Sequence, residues 1–564
     1  MADPMPSRSV VANLDRERLG IGHLISDPHF YEPTPHRMPQ ALPRGMRRAL
    51  QRKLSVKLAH PSLRRRLRRR LARSLAGAAL LLAFSHATEA ATINVTTNKA
   101  EIKTDGKCSI IEAIINANNH ASTNLDCAAG TGADTITLPA NTKIIFPPSK
   151  STDPTPLLFT STVIIQGNGS ILSRKKSKGE ITWPQVWIGG DVTLSNIKIQ
   201  GFATLLVSAG GKLTLTETTV SGGSGNFGGA IQSSGLLTIA ESTISGNTSS
   251  NGGGLHNYRG TATIINSTIS ANQSDADGGA IVNDDGHLTI TNSTISGNIV
   301  KSPRYSTNGG AIFNIGGYLG IFDSSITGNT VIGGGPGLNK SSSQVGWAFG
   351  GAIDATGTIV IRNSTIADNK AIGAPGRPAI GGAIWCACNL TIENSTISGN
   401  AAFGGAKGGV AVAGAVWTSG VVAIKNSTIS GNSAVGSTGA NSYAGAFMNY
   451  HYLTFDSSTI TGNTAATQGG GIWSVETGGD GGVSYTQLDL NRTIVSGNQA
   501  ANGPEIYNYQ RNYTTVVVDN RNLFGVNNVP GTVGFTPDGS DIIPPGGVMI
   551  GDILAPLADN GGRT

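Results

Sequence analysis

Charge is scarce in this chain. Asp, Glu, Lys and Arg make up 13% of its 564 residues, against about 25% in an ordinary soluble domain. Ser, Thr and Asn must therefore supply the polar surface. Long apolar runs are missing too. The longest, Ser74–Phe84, has 11 residues, well short of the roughly 20 that a spanning helix needs. Only four cysteines occur, too few for a disulfide-stapled scaffold. No nucleotide loop, zinc spacing or nucleophile triad is present, which removes the best-marked enzyme classes. Glycine is abundant instead, at 78 residues, and points to one long repetitive body rather than several conventional domains.

The net charge of +7 is concentrated at one end. Residues 1–73 hold 17 basic and 5 acidic side chains, whereas the chain from Ala91 onward holds 24 basic and 28 acidic. The basic run Leu63–Arg73 is followed by the short apolar stretch and then by small residues ending Thr88-Glu89-Ala90. That order predicts a secretory signal over 64–90, and it argues against a nucleic-acid partner. Residues 1–63 are expected to be an untranslated or disordered extension, with Met46 as an alternative start.

Export fits a disulfide between Cys108 and Cys127, which would close a 20-residue ring. Cys386 and Cys388 lie two apart on one expected strand and so share a face. They are expected to be packed thiols, with metal chelation or mutual pairing as alternatives.

After the strand ATINVTT, the segment Cys108–Asn119 spaces Ile110, Ile111, Ile114, Ile115 and Ala117 for one short amphipathic helix. Strand character returns at Gly132–Phe146. CSIIEAI, DCAAG (Asp126–Gly130) and GADTITLPA together resemble the CSLREAI domain of secreted bacterial proteins, with IIE in place of LRE. A helix here would lid the open apolar end of a stack of strands.

The stack is announced by repeats. NSTISGN or a close variant recurs around the marker residues Ile244, Ile269, Ile295, Ile326, Ile366, Ile397, Ile429, Ile460 and Ile494. From the aliphatic of each preceding GGAI-like motif to the marker takes 13 or 14 residues, except in the last coil, where it takes 22. The other half of the unit varies from 11 to 27 residues. One half is rigid, and insertions enter the other at one place.

Each unit offers three short alternating strands, GGAIxN, xLTIxN and STISGN, none long enough for an independent sheet. Stacked in parallel at about 4.8 Å per coil, they make an all-β, right-handed parallel β-helix of three-strand coils with a helix-containing N-terminal cap. The corner asparagines Asn266, Asn292, Asn363, Asn394, Asn426 and Asn491 are expected to take left-handed backbone and to form an amide ladder from coil to coil. Asn-Ser-Thr also reads as an N-glycosylation acceptor, a reading the ladder displaces.

The GGAI and SGN pairing from Val163 to Asn498 resembles the right-handed β-helices of the pectin-lyase-like superfamily and the repeats of polymorphic outer-membrane proteins. Adhesins, lyases, hydrolases and inert shafts share that scaffold, so the resemblance implies fold more than activity. Asn522–Gly525 and Gly551–Thr564 resemble the tail of choice-of-anchor secreted proteins, and Thr564 falls within that motif. The expected layout is a cap at 91–160, β-helix repeats at 161–524 and an incomplete tail at 525–564.

Two sets of residues are candidates for function. A lyase would need clustered carboxylates for Ca²⁺ and a base. Asp275, Asp277, Asp284 and Asp285, with His287 beside them, are the best such cluster, though no Lys or Arg adjoins them in the repeat register. Asp354 and Asp368 lack a repeated partner, and TGGDGG (Thr477–Gly482) is a single weak Ca²⁺-like motif. No cofactor is expected beyond that calcium option, and no metal site. The second set follows each GGAI aliphatic and should point outward. It includes Phe313, Trp385, Trp417 and Trp473. An exterior aromatic stripe suits sugar rings or partner surfaces, unless the insertions fold over it. The expectation is a secreted or surface-displayed adhesin or carbohydrate-binding scaffold, with a polysaccharide or cell-surface partner. A lyase or glycoside hydrolase on the same fold is the alternative.

Overall fold

The computed structural model describes residues 90–147, 157–174, 186–302, 306–335, 346–475, 486–509, 514–519 and 521–554. The segments 1–63 and 64–90 (up to Glu89), the TGGDGG motif and most of the Gly551–Thr564 motif lie outside these residues.

One coil shows how the chain winds. Ile384–Cys386, Asn389–Glu393 and Thr396–Ser398 are its three short strands, and Ala401–Phe403 and Ala411–Val412 lead back to the next, starting at Val416. Each strand pairs in parallel with its counterparts in the coils before and after. Among the described residues this winding builds a 15-stranded sheet of xLTIx strands, a 14-stranded sheet of GGAIx strands and a 14-stranded sheet of STI strands. The fold is a right-handed parallel β-helix.

Alternation decides what faces in. In Asn389–Glu393 only Leu390 and Ile392 are buried. The marker isoleucines from Ile244 to Ile460 line the third wall of the same core, all essentially inaccessible. Each such side chain gains about 2 kcal/mol from leaving water. The glycine pair of GGAI has a steric cause. Gly350 adopts φ +62°, and a Cβ on Gly351 would sit 2.0 Å from the Gly382 carbonyl oxygen of the next coil. In the last coil the marker shifts by one residue: Val495 pairs with Ile460 and is buried, while Ile494 pairs with Thr459.

The N-terminal segment contains the short helix expected from its apolar spacing. We label its helix α1 (Ile110–Asn119), with Ser109 and Glu112 forming a reciprocal capping box. Ile110, Ala113, Ile114 and Ala117 join the core, and Cys108 is bonded to Cys127. Among the described residues no helix is long and apolar enough to cross a membrane.

The ladder exists, but in a different column from the one expected. Asn266, Asn292, Asn363, Asn394 and Asn426 do take φ near +50° at the corner, yet they are exposed. Among the described residues two side-chain contacts run along this column, Asn292 Nδ2 donating to Asn266 Oδ1 at 2.6 Å and Asn426 Nδ2 to Asn394 Oδ1 at 3.4 Å. Asn491 is not at the corner; it ends the strand Thr486–Asn491, and Arg492 takes the left-handed position. The continuous ladder runs through the last asparagine of each heptad: Asn247, Asn272, Asn298, Asn329, Asn369, Asn400, Asn432, Asn463 and Asn498. Each Nδ2 donates to the next Oδ1 at 2.8–3.0 Å. These amides point inward, where an unmade bond is costly, whereas the corner amides point into water.

The last ladder member finds a carboxylate. Asn498 Nδ2 donates to Glu505 Oε2 at 2.6 Å, and the Gly497 and Asn498 amides donate to the same carboxyl group. Burial pushes the Glu505 carboxyl up to about 7, while the bonds from Asn498 and Gly497 pull it back.

Candidate functional site

The variable half of the unit forms a fourth sheet. Up to Gln273–Asp277 it is a single strand per coil. That strand then pairs with two successors at once, Gln273 and Ser274 with Ile299–Lys301 and Asp277 with Thr307–Asn308. From there two columns run side by side, closed by a small secondary core that includes Val300, Val331, Ala371, Ala379 and Ala411. Insertions leave between the two columns, the single entry point the spacing implies.

This sheet accounts for the aromatic stripe. Trp385, Trp417 and Trp473 are 1%, 3% and 3% exposed. Trp385 and Trp417 stack at 4.9 Å with planes 4° apart. Phe349 and Tyr443, both from the fourth sheet, lie against Trp385 and Trp473. Phe313, earlier in the same column, is half-buried. The stripe does face away from the main core, but the fourth sheet covers it and makes it part of a second interior. Its variable length hid that layer from any periodic reading.

The two remaining cysteines are bonded to each other, so the packed-thiol expectation is corrected. Their position explains the bond. Asn257 and Asn283, at the equivalent position in earlier coils, close the corner by donating to the carbonyls of Gly260 and Gly286, both at 3.0 Å. Cys386 occupies that column, in register with Ala355 and Thr418, and the disulfide closes the corner covalently.

The acidic candidates separate. Asp275 is exposed on the fourth sheet, and Asp277 accepts from Asn308 Nδ2. Asp284 ends the strand Ile281–Asp284, and Asp285 turns the next corner at φ +51°. Among the described residues no three His, Cys, Asp or Glu side chains are grouped to hold a metal ion.

Asp284 and Asp285 do have a basic neighbour, contrary to the sequence reading. Arg259 turns the same corner one coil earlier, with its Nη2 3.6 Å from Asp285 Oδ2 and its guanidinium 5.0 Å from the Tyr258 ring centre. Aligning HNYRG with VNDDG reveals this column. Burial and the Asp285 charge raise the Asp284 carboxyl, and Arg259 opposes them. Beyond the corner, His287 and Tyr318 are paired in register and stack at 4.5 Å with planes 13° apart. Tyr258, Arg259, Asp284, Asp285, His287 and Tyr318 thus share three successive coils, and Tyr258 and His287 are exposed. Flat rings beside a charged pair on a rigid wall can stack on one face of a ligand and hydrogen-bond its edge.

Residues 254–479 match the family model described as a right handed beta helix region. No curated protein and no solved structure matches the chain.

Proposed function

We propose that this chain is an exported β-helix scaffold that acts by binding, as an adhesin or saccharide-binding surface protein. Export rests on the basic, apolar and small-residue order of 64–90. The observation that carries the binding reading is the stacked His287–Tyr318 pair next to the Arg259–Asp285 pair on a solvent-facing wall. Aromatic faces meet the C–H face of a sugar ring, and Arg and Asp suit its hydroxyls. The contact surface moves accordingly, from the buried tryptophans to this patch.

Glycan-array binding of the full chain tests it, followed by titration of the best hit. Tyr318→Ala and Arg259→Ala should each weaken that hit by about tenfold or more, with an unchanged unfolding midpoint. Equal affinity in both variants, or no hit on a broad array, overturns the reading.

The raised Asp284 carboxyl beside Arg259 favours a second reading, acid–base cleavage of an acidic polysaccharide. Incubation with pectins and alginates decides it. Unsaturated products that absorb in the ultraviolet, lost in Arg259→Ala, would identify a lyase.

A further inference from the structure

The Asn-Ser-Thr triplets regain a role once the ladder is assigned to the other asparagine. Asn266, Asn292, Asn363, Asn394 and Asn426 all stand on one outer corner of the solenoid, exposed, on left-handed turns. Among the described residues, the Nδ2 groups of Asn266, Asn363 and Asn394 donate no hydrogen bond to protein; the contacts at Asn266 and Asn394 use Oδ1. The triplet's threonine lies at the start of the following strand, half-exposed in every case. The same chain carries an internal contrast. Asn247-Thr-Ser and Asn272-Gln-Ser also satisfy the acceptor pattern, but both asparagines are buried, and their Nδ2 groups are committed to the ladder.

We propose that the outer corner is a row of N-glycosylation acceptor sites and that the ladder asparagines are not. In the step concerned, Asn Nδ2 attacks the anomeric carbon of a phosphate-activated sugar. The new C–N bond replaces the bond from that carbon to a phosphate oxygen, the electron pair departs with the phosphate, and the amide proton passes to a base on the transferase. Nothing is oxidised or reduced. On Asn247 or Asn272 the same substitution would break a buried amide bond of the ladder, so the folded chain excludes it.

Spacing limits occupancy. Adjacent corners stand about 4.8 Å apart, too close for two sugar rings abreast. Asn266 and Asn292 are on neighbouring coils, and so are Asn363, Asn394 and Asn426, with Asp323 at the corner between the two groups. Full modification is therefore about three sugars per chain, one in the first group and two in the second.

The test uses the full folded chain with two donor sources. One arm supplies a nucleotide-activated hexose and a transferase specific for Asn-X-Ser/Thr. The other co-expresses the chain with a transferase that uses a lipid-linked pyrophosphate sugar. Each enzyme is first shown to modify a peptide covering residues 361–368. Glycopeptide mapping should find sugar distributed among the five corner asparagines in at least one arm and none at Asn247 or Asn272, intact mass should show no more than about three sugars per chain, and the responding arm identifies the donor. Thr268→Ala combined with Thr294→Ala should abolish modification of the first group without touching the left-handed corners. An unmodified chain in both arms overturns the proposal, as does equal occupancy at Asn247 or Asn272.

Discussion

Asn363 and Asn369 belong to one turn of chain, six residues apart, yet their physical roles are opposite. Asn363 is exposed at a left-handed corner, and its side chain could be lost to water with little consequence. Asn369 is fully buried: its Nδ2 donates to Asn400 Oδ1, Ile326 O and Ala367 O, and its Oδ1 accepts from the amide and Nδ2 of Asn329. The same amino acid is used once for its backbone tolerance and once for its two-sided hydrogen bonding. Identity and repetition alone do not reveal which is which; the direction in which each corner turns does.

The largest effect should come from breaking the buried column. Asn369→Ala leaves several inward-facing groups without partners, each costing about 1–3 kcal/mol, so the variant should lose about 3–5 kcal/mol. The denaturant midpoint measures this. A loss below about 1 kcal/mol would mean the ladder is not an important source of stability.

A second test addresses the place where that column ends. The Glu505 carboxyl is held up near 7 by burial, against about 4.3 when unfolded. The folded state therefore binds the extra proton between those values. The stability this contributes is complete below the unfolded value and is lost as pH rises through 7, by about 1.4 kcal/mol per pH unit between the two. Thermal melts from pH 5 to 8 should show the parent chain losing stability relative to Glu505→Gln. His256 slopes the other way. Burial lowers it to about 4, so its contribution is complete above 6.5 and fades as pH falls towards 4. His256→Gln should remove that acid-side loss, and parallel melting curves for parent and variant would contradict it.

The corner column should respond least. Asn363→Ala keeps the left-handed turn at a cost of about 1 kcal/mol, and Asn363→Gly should be neutral or slightly stabilising. A loss in Asn363→Gly as large as that in Asn369→Ala would erase the distinction between the columns. Between these extremes stands the Cys386–Cys388 bond. Its loop is so short that entropy gives it only about 1–2 kcal/mol. Cys386→Asn with Cys388→Ala should restore the amide latch of Asn257 and Asn283 and recover most of the loss seen in Cys386→Ala with Cys388→Ala.

The rigid half of the unit was legible because it obeys one period. Ile269, Leu288 and Ile281 each occupy the wall that the alternation of their strands implies. The cap helix and the Cys108–Cys127 bond were legible from local spacing. Three things were not. The fourth sheet has no fixed length, so nothing periodic placed Phe349 over Trp385. The corner and ladder asparagines repeat with the same spacing, so only the fold separates them. Arg259 stands in a column otherwise occupied by Asp285 and Gly316, and a single basic residue makes no pattern until the coils are set in register.

The direction of the ladder has a further consequence. Every rung donates toward the later coil, so each coil leaves behind it the acceptor its predecessor requires and ahead of it a donor for its successor. Coils are therefore interchangeable in the middle of the stack, and only the Glu505 coil cannot be copied onward. Duplicating or excising one complete unit before Asn498 changes the reach of the molecule by one step of about 4.8 Å and leaves both ends chemically intact. The protein is in this sense a ruler whose length can be reset without redesigning either tip.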